Sequence, residues 1–267
     1  MVSASKLRRA QNSIILLRPY ANKLHEILSH ISSVLDTTHE NIYAQQRDDK
    51  RVLLVLITSN RGLCGAFNAN VVKKAIELAN SEYQKQYATG NLDFMVIGKK
   101  AQDILKAKGY TISSTHHELF DQLTFEQVDH LAQSIMDSFK NHGYDKVILL
   151  YNQFKNAAVQ NLTAEQFLPV QIEESNNHSI KYDYIFEPSK EYIIEKLIPK
   201  SLKIQFYKAI LDSVASEHGA RMTAMHKATD NATDMIRQIK LNYNKARQAT
   251  ITKEIIEIVG GAEALNN

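Results

Sequence analysis

The feature that most constrains this chain is a heptad seam running through its C-terminal quarter. Ile204, Tyr207, Leu211, Val214, His218, Arg221, Met225, Ala228, Ala232, Met235, Ile239, Asn242, Ala246 and Ala249 fall on one heptad phase. A helix from about Ile198 to Val259 would span roughly 90 Å at 1.5 Å per residue, more than a compact domain of this size needs. It reads as a shaft. Its upper seam is rich in Ala, which lets two backbones approach closely. His218, Arg221 and Asn242 interrupt the seam. Such polar positions either fix register in a coiled coil or mark where another protein is met. Beyond Glu254 and Glu257 the tip is apolar, with Ile255, Ile256, Ile258, Val259, Ala262 and Leu265. An apolar helix end is expected to be enclosed by something else.

A second seam opens the chain. Leu7, Ala10, Ile14, Leu17, Ala21, Leu24, Leu28, Ile31 and Leu35 are spaced strictly 3-4-3-4, the pattern of a coiled coil. Pro19 lies inside it and is expected to bend the helix locally, because the seam continues in phase on both sides. The competing reading is an amphipathic helix lying on a globular core, but such helices follow a 3.6 period and are shorter. Two heptad helices at opposite ends of one chain pair most economically as an antiparallel coiled coil, with the intervening domain hanging from its side.

That domain has the signature of an α/β fold with a mostly parallel sheet. The segment 51–58 is a continuous apolar run, the mark of a strand buried on both faces. Strands are also expected at 93–97, 110–113 and 145–151. The helices between them are expected at 67–87, 99–108 and 124–141, with Thr124-x-x-Gln127 as a capping box. After Asn152 the helices stop. Strands at 157–170 and 181–186 are expected to form an antiparallel edge, joined by the polar loop 173–178. The segments divide as 1–48, 49–188 and 189–267.

Composition and motifs exclude several classes of function. A net charge of +3 is too mild to imply nucleic acid. The single cysteine, Cys64, excludes an intrachain disulfide. No apolar run approaches the roughly twenty residues that cross a bilayer, and no signal peptide is expected. The loop Ser59-Asn-Arg-Gly-Leu-Cys-Gly-Ala-Phe-Asn68 could cradle a phosphate at a helix start. It lacks both G-x-G-x-x-G and G-x-x-x-x-G-K-S/T, so a tight structural turn with Cys64 buried in it is the better account. His116 and His117 are adjacent, and in a strand their rings would face opposite ways. No nucleophile–base set, metal spacing or paired carboxylates stand out. No cofactor, metal or small-molecule substrate is expected.

Several stretches carry a family resemblance: Met1-Val-Ser-Ala-Ser-Lys-Leu-Arg-Arg-Ala10, Arg18-Pro-Tyr-Ala21, the 59–68 loop, Ser216-Glu-His-Gly-Ala-Arg-Met-Thr-Ala-Met-His-Lys-Ala-Thr-Asp-Asn231, and Asn242-Tyr-Asn-Lys-Ala-Arg-Gln248 running into Ile251-Thr-Lys-Glu254. In this order, over nearly the whole chain, they resemble the γ subunits of F-type ATP synthases. The resemblance implies a non-catalytic rotor. The terminal helices would form a shaft inside the hexamer of α and β subunits. The α/β domain and lower shaft, with the ε subunit, would sit on the membrane c-ring. Proton flow would turn the ring and shaft and drive the β subunits through states of different nucleotide affinity. The implied location is peripheral, on the cytoplasmic face of a bacterial inner membrane.

The resemblance also implies site residues. Arg247 and Gln248 match catch residues that hydrogen-bond a β-subunit loop, and Thr252 and Glu254 match the same contact zone. Lys6, Arg8 and Arg9 match a basic stretch facing an acidic β lever, and Arg221 is expected among the partner contacts. Arg237, Lys240, Lys245 and Lys253 extend the basic character, with no Asp or Glu between Arg237 and Lys253. Family members carry further residues before the Met-Val-x-Ala-x-Lys motif. This sequence begins at that motif, through a misassigned start, a truncation or a natively short N-terminal helix; with the helix that short, the upper C-terminal helix would lack part of its partner. The rival class is a nucleotide-binding α/β domain with helical oligomerisation arms, against which the missing phosphate loop counts.

Overall fold

The computed structural model describes residues 2–34, 42–121, 123–170, 187 and 190–266. The elements run α1 (Val2–Val34), β1 (Val52–Ile57), α2 (Phe67–Asn80), α3 (Gln84–Ala88), β2 (Leu92–Ile97), α4 (Lys99–Ala107), β3 (Ser114–His116), α5 (Phe125–Lys140), β4 (Lys146–Phe154), β5 (Gln160–Leu168) and α6 (Lys190–Asn266). They fall into two units, 1–223 and 224–267.

In the first unit the five strands form one sheet in the order β3-β2-β1-β4-β5. β1 pairs parallel with β2 and β4, β2 pairs parallel with β3, and β5 runs antiparallel to β4 at the edge. This is the α/β class with a mostly parallel sheet that the strand–helix alternation predicts. The physical reason lies in the strand period of two. Along β1, Leu53, Val55 and Ile57 enter one core, and Val52, Leu54 and Leu56 enter another. β4 divides likewise, Val147, Leu149 and Tyr151 to the first and Ile148 and Leu150 to the second. The second core is closed by α2 and α4, through Val71, Ala75 and Leu105 among others. The first is closed by α5, through Val128, Ile135 and Phe139, and also by α6.

Local corrections to the sequence reading have identifiable causes. The expected 67–87 helix breaks after Asn80, because Tyr83 turns inward, its backbone N–H bonding to Leu78 O and its ring 2% exposed. The strand expected at 110–113 begins instead at Ser114. Gly109, at φ +79°, ends the preceding helix, and the Tyr110 ring then packs on Phe94 and Tyr87 at 5.6 Å from each before pairing with β2 starts. β4 continues past Tyr151 to Phe154 because β5 supplies a ladder as far as Phe154↔Gln160. The strand expected at 157–170 occupies Gln160–Leu168; the one expected at 181–186 lies outside the described residues. Thr124 caps α5 by accepting from Gln127 N. Gly98 is obligatory: at φ +102° a Cβ there would lie 2.2 Å from Thr58 O.

α1 and α6 are each continuous through a proline, Pro19 and Pro199. On the first seam Leu7, Ala10, Ile14 and Leu24 are buried. Leu35 lies outside the described residues, as do the side chains of Leu28 and Ile31. α6 starts earlier than the heptads indicate, and its lower part has two apolar faces. Ile198, Leu202, Phe206, Ala209 and Ile210 join the sheet core. Leu211 and Ala215 pack with Leu7, Ala10 and Ile14 of α1. The pairing is antiparallel, since Arg18 meets Asp212 while Lys6 lies near Glu217. In the second unit the side chains of 225–262 are exposed. No helix among the described residues is long and apolar enough to cross a membrane.

Candidate functional site

In a doubly wound sheet, ligands enter at the carboxyl ends of the strands where the strand order reverses. Here that point lies between β1 and β4. It is filled by the chain's own α6. Ser213 Oγ donates to Ile57 O, the last residue of β1, at 3.4 Å. Arg18 of α1 donates to Phe154 O, the last residue of β4, at 2.6 Å, and to Asp212 Oδ1 of α6 at 2.7 Å. The crevice that a nucleotide-binding reading requires is therefore a helix seat.

The 59–68 turn is clamped onto the same helix. Asn68 Oδ1 accepts from Ser59 N at 2.9 Å, and Asn68 Nδ2 contacts Cys64 Sγ at 3.2 Å. Cys64 is 2% exposed, a buried turn residue. Arg221 closes the loop: Nε donates to Gly62 O at 3.1 Å, Nη2 to Arg61 O at 3.0 Å, and Nη1 to Glu217 Oε1 at 2.5 Å. All three donor groups of Arg221 are thus engaged within the chain. Burial pushes the Glu217 carboxyl up, and the neighbouring Arg221, Lys6 and Arg61 pull it back only in part. His218 is driven down to about 4 by burial and by the cations Arg221 and Lys6. The ring is therefore neutral at physiological pH, and its Nδ1 is 3.4 Å from Arg221 Nη1. Burial also raises the Asp212 carboxyl, against the pull of Arg18.

The remaining sequence-predicted residues are exposed. Lys6, Arg8 and Arg9 stand out of α1, because the seam sends only Leu7 and Ala10 inward there. Lys6 alone of these joins the Glu217–Arg221 group. In the second unit Arg247, Gln248, Thr252 and Glu254 are exposed, as are Arg237, Lys240, Lys245 and Lys253. Thr252 Oγ1 bonds back to Gln248 O at 2.9 Å. That leaves the Gln248 amide and the Arg247 guanidinium pointing outward about 100° apart. Large apolar side chains stand among these cations: Ile239, Leu241, Tyr243, Ile255, Ile256 and Ile258 are 55–71% exposed. Such a mixture of apolar and basic groups is the composition of a surface that another protein covers.

The residues that sequence reasoning missed are Arg18, Asp212, Gly219 and Thr223, which seat α6. The signal was present: Asp212 interrupts Ala209-Ile-Leu211 and Val214-Ala215, and a carboxylate in such a run demands a buried partner. Among the described residues no group of His, Cys, Asp and Glu could hold a metal ion.

Comparison with known proteins places this arrangement. The family model described as ATP synthase matches residues 1–265. The chain is 56% identical over 266 residues to the ATP synthase gamma chain of Flavobacterium johnsoniae, covering 100% of this chain and 91% of that one. It is 50% identical over 270 residues to the ATP synthase gamma chain of Cytophaga hutchinsonii, covering 100% and 92%. Among solved structures, a chain of the central stalk and c-ring of the Tetrahymena thermophila mitochondrial ATP synthase matches with a TM-score of 0.60 and 26% identity, over 86% of this chain and 96% of that one. A chain of the Euglena gracilis mitochondrial ATP synthase shares the fold at a TM-score of 0.61 and 22% identity, over 98% and 95%.

Proposed function

The chain belongs to the ATP synthase gamma-chain family and is a central-stalk rotor subunit, and from this premise we propose how its parts divide the work. Segments 1–48 and 189–267 form the shaft, and segment 49–188 is the domain at its foot. The shaft turns inside the hexamer of α and β subunits. The foot, with the ε subunit, rides on the c-ring at the cytoplasmic face of a bacterial inner membrane. The chain has no active site of its own. It couples proton flow to ATP synthesis by presenting different faces to the β subunits, so that each is biased in turn toward a different nucleotide affinity.

The observation that carries this division is the change along α6. Between Ile198 and Thr223 one side of the helix is taken up by the chain's own core and hydrogen bonds. From Met225 onward the described side chains are exposed, apolar and basic by turns. Arg247 is a planar fork suited to a bidentate grip on a carboxylate. Gln248 both accepts and donates. Thr252 and Glu254 lie within two turns of them, and Lys6, Arg8 and Arg9 supply cations for an acidic β lever. Arg221 enters this reading only by holding the 59–68 loop.

In the assembled complex, Arg247→Ala and Gln248→Ala are each expected to lower ATP turnover, because truncating a desolvated, hydrogen-bonded charge contact costs about 2–5 kcal/mol. The free chain should melt as wild type, since both residues are exposed. Hydrolysis by the reconstituted complex, beside thermal melting of the free chain, checks both halves. Wild-type turnover in both variants, or a lowered melting point in either free variant, would remove these residues from the rotor–stator contact.

A further inference from the structure

The seam where α6 crosses the sheet carries more polar chemistry than stability alone calls for. Asp212, Ser213 and Ser216 are at most 2% exposed, and both Asp212 Oδ2 and Ser216 Oγ are buried without a hydrogen-bond partner. Apolar residues of similar volume at such a seam are commonly neutral or stabilising relative to a buried ion pair.

The donors at this seam share one kind of target. Arg18 bonds Phe154 O, Ser213 bonds Ile57 O, Arg221 bonds Gly62 O and Arg61 O, and Thr223 Oγ1 bonds Ala157 O at 3.1 Å. Every acceptor is a backbone carbonyl at or just beyond the carboxyl end of β1 or β4. β1 and β4 are neighbours in the sheet; at these ends Ile57 is still paired with Ile97 of β2, and Phe154 with Gln160 of β5. Gly219 sets the distance of approach: a Cβ there would lie 3.1 Å from Ala157 O and 3.2 Å from its Cα. A helix-interior glycine costs about 1 kcal/mol relative to alanine, so the close seat is held against helix propensity. Arg18 ties three elements at once, since its Nη2 reaches α6 through Asp212 and β4 through Phe154.

We propose that this carbonyl grip, with Arg18–Asp212 at its centre and Gly219 as its seat, is the joint that passes torque between helix α6 and the α/β domain; the proposal rests on the rotor reading above. Apolar packing is non-directional and lets one element slide over another. Hydrogen bonds are directional, and those of charged donors are the stronger ones. Donors aimed at carbonyls on two strand ends and on the turns that leave them resist rotation of the helix about its own axis. Arg18, Asp212, Ser213 and Thr223 are thus positioning residues that touch neither nucleotide nor stator.

The test uses the complete complex in sealed vesicles, with wild-type chain, Arg18→Met/Asp212→Leu, or Ser213→Ala/Thr223→Val. The first variant removes both charges at similar volume. The second deletes two grips and no charge. Two quantities are read: proton uptake per ATP hydrolysed, and the angular variance of a bead linked to the α/β domain while the shaft is held in the hexamer. The proposal expects hydrolysis to persist, proton uptake per ATP to be at least halved, and angular variance to rise. A merely structural role would lower hydrolysis and uptake together at constant ratio, and that result, or unchanged variance, overturns it. Should the first variant fail to assemble, the second decides by the same two readouts. Failure of the wild-type chain to restore coupled uptake would instead overturn the rotor reading.

Discussion

Replacing Arg18 by methionine is expected to destabilise the free chain by about 3–5 kcal/mol at neutral pH, the usual cost of stripping a buried charge of its partner. The effect is asymmetric. Asp212 is completely buried, whereas the Arg18 side chain is 36% exposed. Arg18→Met strands a carboxylate with no access to water. Asp212→Leu leaves a guanidinium that can turn outward, and should cost less. The double variant Arg18→Met/Asp212→Leu should recover most of the loss, because neither charge then remains.

The pH dependence follows from the direction of the Asp212 shift. Burial raises its pKa above the ordinary 3.8, and Arg18 pulls it down. Without Arg18 it rises further. A carboxyl whose folded pKa is raised contributes stability that is present below the unfolded pKa and is lost as pH rises through the folded one. The deficit of Arg18→Met relative to wild type should therefore be full at neutral pH and shrink as the pH falls toward 3.8. Urea unfolding of the three variants at neutral and mildly acidic pH measures this. A deficit below about 1 kcal/mol, within reach of an ordinary surface ion pair, or one independent of pH, would show that the pair does not carry this burden.

Truncating Phe206 to alanine should cost about 3–5 kcal/mol, the range for deleting a core aromatic ring. Phe206 is 0% exposed, and its ring centroid lies 5.5 Å from that of Phe167. The substitution separates two accounts of α6. If the helix were only one strand of a coiled coil, Phe206 would lie off the seam and its loss would matter little, while Leu211→Ala would dominate. In the observed packing Phe206 belongs to the sheet core and Leu211 to the α1 contact. Phe206→Ala should therefore be at least as damaging as Leu211→Ala. Met225→Ala, 38% exposed, serves as a surface control within about 0.5 kcal/mol. Equilibrium urea unfolding gives all three values, and a Phe206 cost near that of Met225 would contradict the packing.

What the sequence determined by itself is whatever repeats with a period. Val52 to Ile57 could only be a strand covered on both faces, because six successive apolar residues of period two leave neither face polar. The heptads located both long helices, because a 3-4 spacing sustained over many turns has one helical solution. The motifs at 1–10, 59–68, 216–231 and 242–248 identified the family, and the exposure of Arg247 and Gln248 on a late helix follows from their place outside any seam.

Only the tertiary structure decided where single residues with no period belong. That α6 has a second apolar face, that Arg18 reaches Asp212 across 194 positions, and that Arg221 points back into the 59–68 turn all depend on which surfaces meet after the chain returns from the sheet. Side-chain hydrogen bonds to backbone carbonyls leave no trace in the acceptor's identity, since every residue carries the same carbonyl. Gly219 shows the same limit: in the sequence it is a poor helix former, and only the approach of Ala157 gives it a reason.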